Sequence, residues 1–422
     1  SNTVLSGMTI KHAGFMAIFV DSQIGDVVVE DCIITECEGL GDGVAVYVGT
    51  YATPVLRNCV IWDNTSSYTQ GMICCTYASA PKIQNCTIVN NIGKGIDADS
   101  ESFVEVRNSI VYGNAGGNWT DNPTNSIEYS CIPNAAGEGN ITNEPALASY
   151  GYRLKAVSPC IDAGDGSNAP VFDIHGERRW DDPAHTNRVS IADMGADEFR
   201  DTDGDSLADD WEKGFFGGMG RDGSADMDAD GLSDLEEYEY GTNPNRMDTD
   251  EDGLSDGAEV HTHRTNPLKM DSDKDGLPAK WEVDYGLNPL LNDAYTDLDG
   301  DGLRNRDEYY YGTDPSKTDT DDDGLNDISE VRTHHTNPLA SDTDGDGFSD
   351  SEEVNELQTN PTDSSDGAEM IEEMRQRLSA NWSLIYQSPL VFTNPPGSTK
   401  DLNDIRTALS TLSGQFYEAE EE

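Results

Sequence analysis

The chain has 422 residues, with 81 acidic against 26 basic side chains and a formal net charge of −55. That excess excludes a nucleic-acid or anionic-membrane surface, which would need clustered Lys and Arg. No run approaches the ~18 consecutive apolar residues that mark a membrane span, so no transmembrane segment is expected.

Composition divides the chain. Residues 201–363 carry 46 acidic and 11 basic residues, whereas all eight cysteines lie within the first 160. The predicted divisions are 1–139, 140–200, 201–363 and 364–422. Ser1 is not followed by a signal peptide, so the chain reads as a processed form or a piece of something longer.

Short apolar runs repeat through the first division, at residues 27–34, 54–61, 81–88 and 103–110, with 5–10 and 126–132 as outlying copies. Cys32, Cys59 and Cys86 recur at 27 residues. Each copy reads as two short strands joined at an Asp or Asn corner. Strands this short bury no face alone, so coils must stack about 4.8 Å apart, each strand pairing with its equivalents. Asn58, Asn85 and Asn108 would then form a ladder of amides, and the three cysteines an interior stack of free thiols. Of the vicinal Cys74 and Cys75, at most one points inward. Cys131 and Cys160 bracket the end of the coil, where a bridge and free thiols both stay open. No CxxC pair suggests zinc.

Over roughly residues 3–135 this pattern resembles right-handed parallel β-helix proteins of the pectin-lyase-like class. Many of those cleave acidic polysaccharides. Here residues 1–133 hold five basic against 14 acidic residues, a poor groove for such a substrate. Asp97 and Asp99 are the one carboxylate pair considered for acid–base work, with a solvated turn as the favoured reading. No catalytic residue is assigned. Residues 158–165, 173–179 and 191–199 resemble the C-terminal portion of secreted bacterial β-helix proteins. They are read as a cap whose Asp and Arg side chains satisfy backbone groups where stacking stops.

In the acidic division, carboxylates fall at positions one, three, five, nine and twelve of a recurring window. The copies are Asp201, Asp203, Asp205, Asp209, Glu212; Asp226, Asp228, Asp230, Asp234, Glu237; and Asp248, Asp250, Asp252, Asp256, Glu259. Asp271, Asp273, Asp275 and Glu282 form a fourth, with Ala279 at position nine, and Asp297, Asp299, Asp301, Asn305, Glu308 a fifth. Asp319, Asp321, Asp323, Asp327, Glu330 and Asp342, Asp344, Asp346, Asp350, Glu353 complete seven. Alternate carboxylates converging on one hard cation, a position-seven carbonyl and a Glu at twelve are calcium chemistry. Glycine at position six permits the sharp turn, and Ser206 breaks that rule in the first loop. Asn-Pro or Asp-Pro pairs stop each helical turn, which leaves no room for an incoming EF-hand helix. The pattern over 201–363 resembles the thrombospondin type 3 repeats of bacterial surface proteins. Loop starts repeat every 71 residues in sets of three (226 and 297, 248 and 319, 271 and 342), which suggests a regular rod. The metal-free charge should hold the segment open, so Ca²⁺ is expected as a folding cofactor, with a core independent of the coil.

In the last division, residues 366–379 and 401–412 read as helices and 382–386 and 390–392 as strands. The fold class expected is mainly β: a right-handed parallel β-helix, then an elongated array of calcium-binding loops, then a small α+β module. The function expected is an extracellular, calcium-stabilised structural or surface adhesion protein. Its partners would be calcium, surface proteins or glycans, or a second copy joined head to tail, with residues 382–392 adding a strand to the open first coil and building filaments. The alternative is a polysaccharide lyase or hydrolase displayed on the same stalk.

Overall fold

The computed structural model describes residues 3–21, 27–39, 44–66, 71–120, 125–149, 151–182 and 190–386. The chain forms two compact units, 1–269 and 270–422.

In the first unit, equivalent strands of successive coils pair in parallel, as stacking requires. One sheet runs Thr3–Ser6, Val27–Glu30, Val55–Arg57, Lys82–Gln84, Glu105–Arg107, Ser126–Glu128. A second runs Thr9–Lys11, Ile33–Thr35, Val60–Trp62, Thr87–Val89, Ile110–Tyr112, and a third Ile18–Val20, Val46–Val48, Gly71–Cys75, Lys94–Ala98. The interior is a column of equivalent residues such as Val29, Leu56, Ile83 and Val106, all buried. Asp31, Asn58, Asn85 and Asn108 turn the corner at φ between 48° and 54°, a left-handed conformation that short polar side chains tolerate.

The amide ladder expected at that corner is broken in the middle. Asn58 donates to Asp31 and Asn108 to Asn85, at 3.0 and 3.3 Å, but Asn85 turns its amide to the Asp193 carbonyl. A continuous ladder stands at another corner. Asn64 donates to Asn91 and Asn91 to Asn114, at 2.9 and 2.8 Å, all three being buried. Their amides also reach the carbonyls of Ile34, Ile61 and Ile88.

All eight cysteines are buried thiols. Cys75 lies in the core column, and Cys74, on the other face of its strand, is covered as well. Cys131 and Cys160 lie in one apolar cluster with no disulfide between them.

The segment read as an end cap lies along the flank of the coil. Asn58 donates to the Phe172 carbonyl and accepts from Arg179; Asn108 exchanges two hydrogen bonds with Asp165. Gly195 crosses so close to the coil that a Cβ there would stand 2.8 Å from Thr87 Oγ1. Buried carboxylates tie the segment internally. Asp193 accepts the N–H groups of Asp162 and Phe199 at 2.7 and 2.8 Å, and Glu198 accepts Arg179 at 2.7 Å. At the side of the stack, the Asp residues of the motif thus serve backbone groups, as Asp193 does. Arg179 instead bonds the side chains of Glu198 and Asn58 and, among the described residues, no backbone group.

The first three repeats belong to this unit too. Leu207, Trp211 and Tyr238 share one apolar cluster with Ile110, Cys131, Leu154, Cys160 and Phe199. The core expected to be independent of the coil is continuous with it here.

The second unit holds the other four repeats and the helix Ser364–Tyr386. Residues 382–386, expected as a strand, are the end of that helix, which removes half of the donor strand imagined for filament growth. The strand at 390–392 and the helix at 401–412 lie outside the described residues. Among the described residues no helix is long and apolar enough to cross a membrane.

Candidate metal centres

Each loop is built by its own side chains. The position-one carboxylate accepts the N–H of position six in every loop and that of position four in all but the sixth, as Asp248 does from Glu251 and Gly253 at 2.6 and 2.8 Å. Position five accepts from position seven, as Asp252 does from Leu254 at 2.6 Å. Two residues per loop take positive φ: Gly231 stands at 105°, and Ser206 reaches 80° without being glycine. Position seven is buried in every copy, from Leu207 to Phe348. Position eight then caps a short helix. Ser233, Ser255, Asn326 and Ser349 each accept the N–H three residues on.

That helix carries the position-twelve Glu inward. Two endings exist, and they follow the period of three in the second and fifth and in the third and sixth loops, though not in the fourth and seventh. In the first, second, fourth and fifth loops the helix closes on Gly217, Gly241, Gly286 and Gly312. In the third, sixth and seventh, one extra residue is absorbed as a π-helical turn, Glu259–His263, Glu330–His334 and Glu353–Leu357. The threonine that follows then donates to the Glu, as Thr265 does to Glu259 at 3.0 Å. The same period appears in the aromatics. Trp211 meets Tyr238 edge-on with centroids 5.4 Å apart, and Trp281 meets Tyr309 in the same way at the same distance.

The carboxylates at positions one, three and five come together: ligand oxygens of Asp201, Asp203 and Asp205 lie within 4.8 Å of one another, as do the corresponding groups of the next three loops. All seven position-twelve glutamates are fully buried. At least one oxygen of each has no hydrogen-bond partner, and in Glu237, Glu282 and Glu308 both lack one. Burial first, and neighbouring Asp charges second, push Glu237 and Glu259 up to about 9 and Glu282, Glu308 and Glu330 up to about 8. Acceptor-only oxygens crowded in a buried pocket fit a hard dication and little else.

Position nine behaves differently from the other expected ligands. Asp256 accepts both the N–H and the hydroxyl of Thr249, at 2.8 and 2.6 Å. Asp327 and Asp350 do the same with Thr320 and Thr343, and Asp209 with Thr202. Asp234 instead receives Arg221 at 2.7 Å, and Asn305 accepts the Leu298 N–H. These groups brace the loop against itself. A position-two threonine was the sequence signal for this, and the ligand frame passed over it.

Successive loops are also joined. The second oxygen of Asp230 accepts the Gly257 N–H, that of Asp301 the Ile328 N–H, and that of Asp323 the Ser351 N–H, at 2.9, 3.0 and 2.9 Å. A carboxylate of one loop thereby holds the helix start of the next.

The pair considered for catalysis is spent elsewhere. Asp97 is bound by Lys94 and Thr120. Asp99 caps a turn through the N–H groups of Tyr77, Glu101 and Ser102; desolvation raises its carboxyl, but the Ser102 hydroxyl and these N–H groups together hold it below the usual range.

Residues 1–132 match the family model of the right handed beta helix region. Residues 226–246, 248–269, 297–318, 319–341 and 342–364 each match the bacterial TSP3 repeat. The two loops without a match are those that depart from the frame, with Ser206 at position six and Ala279 at position nine. Neither a curated protein nor a solved structure matches the chain. The chain therefore joins a right-handed parallel β-helix to an array of thrombospondin type 3 repeats of the calcium-binding kind.

Proposed function

We propose that this is an extracellular structural or surface protein whose repeats are ordered by calcium. The observation that carries the reading is the set of seven fully buried glutamates with unpartnered oxygens. Charged, they destabilise the metal-free fold; bound to Ca²⁺, they hold it together. In each loop positions one, three, five and twelve, with the position-seven carbonyl, are the proposed ligands, and position nine the proposed brace. Free calcium in the cytosol is too scarce for many modest sites, which favours a place outside the cell. The β-helix would carry the contacts with surface proteins or glycans. The lyase or hydrolase reading keeps no assigned residues, since Asp97 and Asp99 serve the turn and the strand.

Equilibrium dialysis against ⁴⁵Ca²⁺ tests the reading. Several ions bound per chain at millimolar calcium, with ordering visible by circular dichroism, are expected. Absence of binding at that concentration would refute it.

A further inference from the structure

The fourth loop lacks an acid at position nine, where Ala279 is fully buried. Its Glu282 is fully buried with neither oxygen partnered, and Asp273 Oδ2 is also buried without a partner. The step to the fifth loop is 26 residues, against 22 or 23 in most others. The extra residues fold back over the fourth loop.

There the N–H groups of Asp293 and Ala294 donate to the second oxygen of Asp275, at 2.9 and 2.8 Å. This is the oxygen that elsewhere receives the helix start of the following loop. Asp293 accepts the Asn305 amide on its main-chain carbonyl at 3.2 Å. Its Oδ1 is nonetheless buried without a partner, and the charges facing it are those of Asp273, Asp275 and Glu282. A carboxylate oxygen buried beside three others costs free energy unless a cation lies among them. Position in the chain does not produce this by itself. Asp222, at the matching place after the first loop, is exposed and accepts from Ser224. The arrangement does recur at the seventh loop. Asp366 Oδ1 is buried without a partner and faces Asp344, Asp346 and Glu353.

We propose that Asp293, which lies outside the twelve-residue frame, is a calcium ligand of the fourth loop and supplies the acid that Ala279 does not. The proposal rests on the calcium reading of the repeats. It makes the linker part of the site, so that filling the fourth loop also orders the approach to the fifth.

Terbium luminescence offers the test, because Trp281 adjoins Glu282 and can sensitise a bound lanthanide. In the full chain, Trp281→Phe identifies the fourth-loop phase of a Tb³⁺ titration by removing its signal. Asp293→Asn should weaken that phase at least tenfold and leave the others within twofold. Asp293→Glu, which keeps the charge, should recover most of it. An Asp293→Asn titration that superimposes on the parent, while Glu282→Gln abolishes the phase, would overturn the proposal and leave the calcium reading standing. Equal losses in the Asn and Glu variants would overturn it too, since a purely structural role predicts them. If the parent binds no Ca²⁺ in dialysis, the calcium reading itself fails.

Discussion

Tyr238, in the second repeat, donates its buried hydroxyl to the carbonyl of Leu154 on the coil's flank, at 2.7 Å. Arg153, beside that carbonyl, binds both oxygens of Asp210 in the first repeat. The calcium array and the β-helix therefore share structure at their junction.

One consequence concerns chelation. EGTA should lower the unfolding temperature of the coil as well as that of the repeats, because Trp211 and Tyr238 leave the shared cluster when their loops loosen. Tyr238→Phe should cost about 1 kcal/mol and make the coil's transition less sensitive to EGTA. Differential scanning calorimetry of both proteins with and without chelator checks this; a coil transition indifferent to EGTA would contradict it.

Glu308 should separate the two roles of a buried carboxylate. Glu308→Gln removes a charge that burial penalises, so the metal-free chain should melt higher than the parent. In calcium the order should reverse, with one site weakened tenfold or more, about 1.4 kcal/mol. Thermal melts in EGTA and in millimolar Ca²⁺ give both signs.

The response to pH follows from the raised carboxyls. Glutamates held at about 7 to 9 against an ordinary 4.5 keep protons in the metal-free fold that the unfolded chain has released. Their stabilising contribution is complete below about 4.5 and is lost as pH rises to 9. Melting temperature in EGTA should therefore fall from pH 5 to pH 9. The increment added by calcium should grow over the same window, because the ion requires the deprotonated form. Circular-dichroism melts at three pH values, with and without calcium, measure the divergence.

Asn91 is the middle rung of the continuous ladder, donating to Ile61, Val89 and Asn114 and accepting from Asn64. Asn91→Ala strands several buried polar groups and should destabilise the coil by about 3 kcal/mol. Urea unfolding of the variant in saturating calcium isolates the effect from the repeats. A loss below half that value would show that the ladder relaxes or admits water.

The sequence by itself determined what repeats. Stacked coils bring equivalent residues together, so Cys32, Cys59 and Cys86 and the strands around them carry the β-helix in their spacing. The calcium loops are as legible, since one cation fixes which positions of a short window must hold oxygens. Tertiary structure alone decided contacts between inequivalent positions, which leave no period to read. Asp293 and Asp366 face loops whose frames exclude them. Four of the five position-nine acids turn to a threonine of their own loop, and Asp234 to Arg221. The flank segment found the Asn58 corner and interrupted the ladder expected there. Tyr238 reached back to Leu154, and residues 382–386 continued a helix where β-forming side chains suggested a strand. In each case the partner was chosen by which unsatisfied polar or apolar group the fold brought within reach, and local pattern does not record that choice.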